Sequence, residues 1–543
     1  MNWTNTLIYL AITLTYFRRS SVMLNILLQS KRFIFVTALM TLFTSLLTVA
    51  TPILLTQIFY SNYALNTRTL YIVILFMTIT YIIQIIMVIV RENFALKFNK
   101  RYATHLYQNV HQMKYDELLQ KEPTYLIDRV GQAVTSLYFF ITQSLIGILS
   151  NALILIMCII IVFYVNVFMT LLLFLLVPIN FFGYKMINAK LKEKSIQMQK
   201  ETSTGYKEII AVYKNVDTMK QENFKRIEHM ISPSIEKIYK SMASVNQFGQ
   251  SSSLVIKLIN TFIQNLMFFI LAYLIIIGKT NVEDLVIISV ILPIYFISLQ
   301  AFTNVNLEFR DLQASKAFLD SEVLIHRENN QHLTLKSIDS ISFEHPLIQI
   351  NERKFNYDLK SQFFKGDVIF VSGPSGKGKS TLMKSLLNFR PSIGIKINNI
   401  PIDAFDKYVL REKILYISQD MSVLPMTIKD NVLYGKNDDA IDWNQFTENI
   451  ILKSILNHKN IDEVVYEGGT NFSGGEKQRL MLARILHENV DCIILDEATS
   501  HIDKSLEDQI FRFLVESYTD KIIFVISHNL ENKQYCNQFI EIN

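Results

Sequence analysis

Six apolar runs, roughly at 33–60, 69–90, 137–164, 166–187, 254–278 and 284–304, fill most of the first 310 residues of this 543-residue chain, and each reaches the length of about 20 residues that crosses a bilayer. A backbone in hydrocarbon has no water to bond, so each run must close its own hydrogen bonds as a helix. That predicts a bundle of six membrane helices. The composition agrees: 50% of residues are hydrophobic and the mean hydropathy is +0.24, too apolar for a soluble protein throughout. The first stretch, "MNWTNTLIYLAITLTYFRRSS", carries its positive charges after its short apolar run, the wrong order for a secretory signal. An interfacial elbow segment is expected over 1–30.

Three of the links are short, at Ser61–Thr69, around Val165 and at Gly278–Asp284. The other two are long and basic, Arg91 to about Leu137 with Lys97, Lys100 and Arg101, and Asn188 to about Ser253 with Lys190, Lys192 and Lys194. Basic excess marks the cytoplasmic side, which puts both long links, both termini and the second half of the chain there. Helical sequence continues past the second run with neither Pro nor Gly until Pro123, so the helices should project into the cytoplasm. A short transverse helix is expected near the turn of each link, about Glu122–Asp128 and Tyr206–Val216. Composition shifts to charged and amide residues between about Asp311 and Asn330, and strand-like and helix-like runs alternate afterwards, as in an α/β domain. The expected domains are an elbow (1–30), a membrane domain (31–310), a linker (311–335) and a second domain (336–543).

Asp, Glu, Lys and Arg are missing from the middle of the six runs, which argues against a proton or ion relay. The runs carry neutral polar and aromatic residues instead, among them Gln57, Gln84, Gln143, Asn180, Asn260, Gln264, Asn265, Gln300, Asn304, Tyr81, Tyr138 and Tyr295, which either glue helices together or touch a cargo. A net charge of +5 is ordinary for a cytoplasm-facing membrane protein and implies no nucleic-acid partner. Cys158, Cys492 and Cys536 stand far apart, with no spacing for zinc or a disulfide framework.

The second half contains "GPSGKGKST". Gly373, Gly378, Lys379 and Ser380 satisfy G-x-x-x-x-G-K-[ST] in one register, with Lys377 at a variable position. The apolar run "DVIFVSG" precedes it and a helix from about Ser380 to Asn388 comes after it, so turned backbone N–H groups and a helix start face one anion. "CIILDEATSHID" places Asp496 and Glu497 at the end of a buried strand, suited to hold Mg²⁺ and to polarise an attacking water. "FSGGEKQR" opens a helix at Ser473, Gly474 and Gly475 with N–H donors facing an anion. Gln419 ends a third apolar strand, where it could bind Mg²⁺ or the water, and His528 ends a fourth.

Together these stretches resemble the ATP-binding cassette, and six spans followed by one cassette are similar to an exporter-type half-transporter of the ABC transporter superfamily. The resemblance covers essentially the whole chain, and "SGGEKQR" is its specific part. It implies that ATP is bound by Gly373, Ser375, Gly376, Lys377, Gly378, Lys379, Ser380 and Thr381 of the phosphate loop, by Ser473, Gly474 and Gly475 of the signature, and by Asp503 of the D-loop. Glu497, His528 and Gln419 would be catalytic, and Ser380, Gln419 and Asp496 would hold Mg²⁺. It also implies two cassettes head to tail, hence a second half-transporter subunit, a homodimer in the simplest case. This sequence departs from the family pattern in three places: Glu476 stands where many members have glutamine, the adenine-stacking aromatic is ambiguous between Tyr357 and Phe355, and the stretch after His528 lacks the extra strand and helix of similar cassettes.

The fold class expected is therefore a membrane α-helical bundle of six transmembrane helices with long cytoplasmic extensions, followed by an α/β P-loop ATPase domain. The function expected is ATP-driven export of an amphipathic cargo such as a small bacteriocin peptide, from a bacterial cell membrane in contact with lipid. The alternatives are multidrug or lipid export and, third, an ATP-gated channel or regulator. No cysteine precedes Cys158, so no leader-trimming cysteine protease is expected within this sequence.

Overall fold

The computed structural model describes residues 31–60, 67–214, 216–350, 353–419, 422–436 and 443–542. The elbow expected over 1–30 and the side chains of Gln57 and Asn304 lie outside the described residues. Contacts divide the chain into two units, one running to Met113 and then over Leu118–Arg327, the other made of Lys114–Glu117 and everything from Glu328.

The first unit is helical: α1 (Lys31–Tyr60), α2 (Thr67–His111), α3 (Tyr115–Lys121, whose first three residues belong to the second unit), α4 (Pro123–Phe139), α5 (Leu145–Val165), α6 (Val167–Lys214), α7 (Val216–Gln221), α8 (Phe224–Ile276) and α9 (Val282–Phe318), with a π turn at Phe140–Ser144 joining α4 to α5. Among the described residues five helices are long and apolar enough to cross a membrane, and the fourth expected span corresponds to the shorter apolar stretch Val167–Asn180 of α6. Large apolar side chains such as Phe174, Phe262 and Phe269 stand exposed on their outer faces, far more apolar surface than a water-facing protein presents.

Both transverse helices fall outside their expected places. In the first link, Glu122–Asp128 opens the returning helix α4, with Pro123 at its first position, where a missing N–H costs nothing. The short element is α3, because α2 stops at His111: Met113 is buried and bridges to Arg327, whose guanidinium donates to Asn109. Within the second unit the start of α3 is pinned by Arg390, which donates to Asp116 Oδ1 at 2.6 Å and 2.8 Å. In the second link, Tyr206 to Lys214 continues α6. Gly205 allows this, since a Cβ there would lie 2.7 Å from the Ile238 side chain of α8. The short helix is α7, and Asn223 then caps α8 by accepting from the Lys225 N–H at 3.1 Å.

Several polar residues of the runs are helix glue. Asn180 and Asn260 exchange amide hydrogen bonds at 3.0 and 2.9 Å, and the buried Tyr295 hydroxyl donates to the Leu173 carbonyl at 2.8 Å. Gln264 and Gln300 are half-buried and Asn265 exposed.

The second unit has two sheets. β1 (Ser340–Ile350), β2 (Arg353–Asn356), β3 (Lys360–Phe364), β5 (Ser392–Ile397) and β6 (Ile400–Pro401) form one, with β1 antiparallel to β2, β3 and β5. The other is wholly parallel in the order β10 (Gln538–Glu541), β4 (Val368–Ser372), β9 (Ile522–Ile526), β8 (Cys492–Asp496), β7 (Ile414–Ser418). β10 departs from expectation, for a strand does come after His528, and it covers the open edge of β4. Strands β8 and β9 are buried along their whole length, which is why they read as unbroken apolar runs. Their two faces feed two cores, one shared with the antiparallel sheet and one with the helices α10 (Ile428–Leu433), α11 (Ile450–Leu456), α12 (Gly474–Leu482) and α13 (Lys504–Ser517).

Candidate active site

The register of the parallel sheet assembles the site. Ser418 pairs with Asp496, Asp496 with Ile526, and Ile526 with Val371, so four strands end in one row. The residues just past each strand therefore leave at the same edge: Gln419 after β7, Glu497 after β8, Ser527 and His528 after β9, and the loop from Gly373 after β4. Crevices at the carboxyl ends of parallel strands are where such folds bind ligands.

The loop from Gly373 is built from backbone that side chains resist. Gly373, Gly376 and Gly378 have φ of 144°, 80° and 89°, in the region that favours glycine. A Cβ on Gly373 would meet the Ile542 carbonyl at 2.2 Å, whereas nothing lies within 4 Å of one on Gly376, so the loop is tight at its root and open at its tip. Lys379 is buried, and its ammonium donates to the carbonyls of Gly373 and Pro374 at 2.9 and 3.1 Å. It holds the loop closed on itself with two of its three N–H donors, and the third is left for a phosphate. Lys377, Ser375 and Gly376 are exposed, and Ser380 and Thr381 are half-buried.

Tyr357 has a role its sequence position did not reveal. It is buried, and its hydroxyl donates to the Gly378 carbonyl at 3.0 Å, with burial pushing its pKa up to about 12. It props the phosphate loop from below, so its ring does not offer an open face to adenine. Phe355 is partly buried against the same core.

Asp496 is buried and accepts from the Tyr416 hydroxyl at 2.5 Å. Glu497 comes next with φ of 54°, a conformation that costs a non-glycine residue about 1–3 kcal/mol and collects at functional sites. The turn is held by its N–H donating to the Ile526 carbonyl at 2.9 Å. Glu497 Oε1 then lies 2.9 Å from His528 Nε2. Gln419 is joined to the same group through its N–H, which donates to the Asp496 carbonyl at 3.0 Å. Beneath them, buried Glu507 accepts from Thr499 Oγ1 at 2.6 Å, Asn532 at 2.9 Å and Asn529 at 3.1 Å, welding the segment after Glu497 to the segment after His528. Neither Tyr416 nor Glu507 was singled out from sequence; the one signal for Glu507 is an acid on the apolar face of "KSLEDQIFRF".

Ser473, Gly474 and Gly475 form a different group. Ser473 caps α12 by accepting from the Glu476 N–H at 3.2 Å, and Glu476 accepts in return from the Ser473 N–H at 2.7 Å. This reciprocal box satisfies two otherwise orphaned donors. Partial burial raises the Glu476 pKa, but the hydrogen bonds from Ser473 and the charges of Lys459 and Arg479 outweigh it, and the net shift is downward. The helix start rests on His501: a Cβ on Gly475 would lie 2.7 Å from its carbonyl, and its N–H donates to Gln478 Oε1 at 2.7 Å. Asp503, two residues on, is exposed. No hydrogen bond between described residues ties this group to the phosphate loop.

The donor set fits a hard cation. Among the described residues no cluster of three or more His, Cys, Asp or Glu could hold a metal. Ser380, Gln419 and Asp496 offer only oxygen donors of use, as Mg²⁺ prefers, with water and phosphate completing its shell.

Both units of the chain have counterparts among known proteins. Residues 34–299 match the ABC transporter transmembrane region and residues 357–500 the ABC transporter domain. Lactococcin-G-processing and transport ATP-binding protein LagD of Lactococcus lactis subsp. lactis is 28% identical over 62% of this chain and 49% of its own length. ATP-dependent lipid A-core flippase 2 of Colwellia psychrerythraea is 32% identical over 36% of each chain. The probable multidrug resistance ABC transporter ATP-binding/permease protein YheI of Bacillus subtilis is 31% identical over 33% of this chain and 32% of its own. The match thus spans about half of the first relative and about a third of the others. A solved bacterial Atm1-family ABC exporter with ATP bound shares the fold, with a TM-score of 0.82 at 20% identity over 94% of each chain.

Proposed function

Because this chain belongs to the ABC transporter family, as a multi-pass membrane protein with its membrane region and cassette in one polypeptide, we propose that it hydrolyses ATP to export an amphipathic cargo from the cytoplasm. The observation that carries this reading is the Glu497–His528 contact of 2.9 Å beside buried Asp496. Glu497 is poised to polarise a water, and His528 orients it and can hold the proton. Mg²⁺, held by Ser380, Gln419 and Asp496, would neutralise phosphate charge. Lys379 and the N–H groups of Gly373 to Thr381, with Ser375 and Lys377 at the loop's tip, would cradle the phosphates. A regulator that binds nucleotide without hydrolysing it has no use for a strained, positioned glutamate.

The second cradle, Ser473 to Gly475 with Asp503, would come from a second subunit, in the simplest case a copy of this chain. We assign 1–30 to an elbow, 31–310 to the membrane domain, 311–335 to a linker whose first residues α9 carries, and 336–543 to the cassette. The cassette and termini would face the cytoplasm of a bacterial cell. A small bacteriocin-like peptide is the cargo we favour, supported by the similarity to the lactococcin G transporter and by spans without a mid-membrane acid. Lipid or drug export is the second reading, favoured by the similarity to the lipid A-core flippase and the multidrug protein.

The test is cargo-stimulated ATPase of the reconstituted chain against peptides, lipids and drugs, repeated with Gln264→Ala, Asn265→Ala and Gln300→Ala. Stimulation by neutral amphipathic peptides, weakened in at least one variant, is expected. Stimulation confined to polycations contradicts the cargo class.

A further inference from the structure

In α2, Lys97, Lys100, Arg101, Thr104, His105 and Gln108 succeed one another at i, i+3, i+4, i+7, i+8 and i+11, and line an open concavity of about 440 Å³. The helix face opposite, with Ala95, Phe98, Tyr102 and Leu106, is buried in the bundle. The basic face is thus turned away from the chain's own core. Lys97, Lys100 and Arg101 are exposed, and among the described residues none has an ion pair. Several other cations of the two long links are engaged, among them Arg91 with Glu92, Lys121 with Glu322, Lys207 with Glu122, Lys194 with Ser244 and Lys190 over the Phe248 ring. Like charges three and four residues apart on a helix repel, so this stripe is unfavourable until an anion sits on it.

Position along the helix selects the anion. The apolar run ends at Val90, so at 1.5 Å per residue Lys97 lies about 10 Å beyond it and Arg101 about 17 Å. A headgroup layer extends about 5–8 Å past the hydrocarbon. Lysine and arginine stems reach back toward it, and Lys100 and Arg101 stand within about a screening length of Lys97. We propose that Lys97, Lys100 and Arg101, whose side chains tilt toward the helix start and so toward the membrane, hold the headgroup phosphate of an anionic lipid of the cytoplasmic leaflet. Arginine can grip phosphate through two N–H groups, and lysine as a point charge. The inference rests on the membrane orientation proposed above, and it is separate from the cargo path.

The full chain is reconstituted in nanodiscs of phosphatidylcholine with and without phosphatidylglycerol. Lipid retained after mild detergent extraction is read by native mass spectrometry, and ATPase is measured in parallel. The wild-type chain is expected to retain phosphatidylglycerol selectively. The triple variant Lys97→Gln, Lys100→Gln, Arg101→Gln should lose about tenfold or more of that preference, since each surface cation contributes roughly fivefold, while keeping its subunit mass and its ATPase in pure phosphatidylcholine. The double variant Lys97→Arg, Lys100→Arg should keep the preference. An unchanged preference in the triple variant overturns the proposal. So does full competition by millimolar inorganic phosphate, which would make the ligand a soluble anion, and so does dissociation of the triple variant into monomers in neutral lipid, which would make the stripe a subunit contact. Selective retention in a chain without ATPase in any lipid would sink the export reading and leave this site standing.

Discussion

The phosphate loop and the signature segment differ in how they are completed. The first is closed from within: Lys379 bonds its own loop, Tyr357 props it, and Gln419, Asp496, Glu497 and His528 are joined at one sheet edge. The second is capped by Ser473 with Glu476 and braced through Gln478 on His501, four residues past Glu497, yet no hydrogen bond among the described residues ties it to the phosphate loop. A half-site that is rigid and locally satisfied can be presented to a second chain without a prior folding cost. On the function proposed above, one cassette carries the two halves of an ATP site as two preformed parts.

Removing Glu497, the proposed water-polarising group, should break the first half most severely. Glu497→Gln keeps shape but loses the carboxylate, and should slow single-turnover hydrolysis about 10²- to 10⁴-fold with nucleotide affinity near parental. Lys379→Ala should do the reverse, lowering ATP affinity about 10- to 100-fold for the loss of a charged hydrogen bond. Hydrolysis by Glu497→Gln at the parental rate would show that the base lies elsewhere.

Glu507→Ala attacks the link that joins the first half without touching the nucleotide. It strands the donors of Thr499, Asn529 and Asn532, and should destabilise the cassette by about 2–4 kcal/mol, or about 5–10 °C in calorimetry of a domain this size. An unchanged transition would mean that the buried carboxylate is not the weld.

The smallest effect sharpens the second half. Glu476→Ala leaves the Ser473 cap in place but removes the bond to the Ser473 N–H, and should cost about 0.5–1.5 kcal/mol. The folded-state pKa of Glu476 lies below its unfolded value of about 4.3, so its contribution is complete above that pH and lost as pH falls through the lower folded value. The gap in denaturation midpoint between wild type and variant should be constant near neutral pH and close in acid. A gap that widens in acid would reverse the sign of the shift.

Much of this was legible in the sequence because the chemistry sits at the ends of buried strands. "VIFVS", "CIILD" and "IIFVI" are apolar on both faces, and the polar residue just after each is conspicuous. The roles of Tyr416, Tyr357 and Glu507 were not legible, since they act through partners 80, 21 and up to 25 residues away. In the membrane unit apolar length placed the helices, but the turns of the long links depend on Met113 meeting Arg327 and on Gly205 admitting Ile238. Proline marked a beginning at Pro123 instead of an end. Of the amides, Asn180 and Asn260 spend their bonds on each other, a pairing invisible until α6 and α8 are side by side.

That ATP lies between the phosphate loop of one chain and the signature of another is tested most directly by two kinds of mixed dimer purified through different tags. One joins a Lys379→Ala chain to a Ser473→Arg chain; the other joins wild type to a chain carrying both substitutions. If the site is shared, the first dimer keeps one site with both halves intact and the second keeps none. ATPase is therefore expected in the first and its loss in the second; activity in the second with none in the first would place both halves of the site in one chain and contradict a shared site.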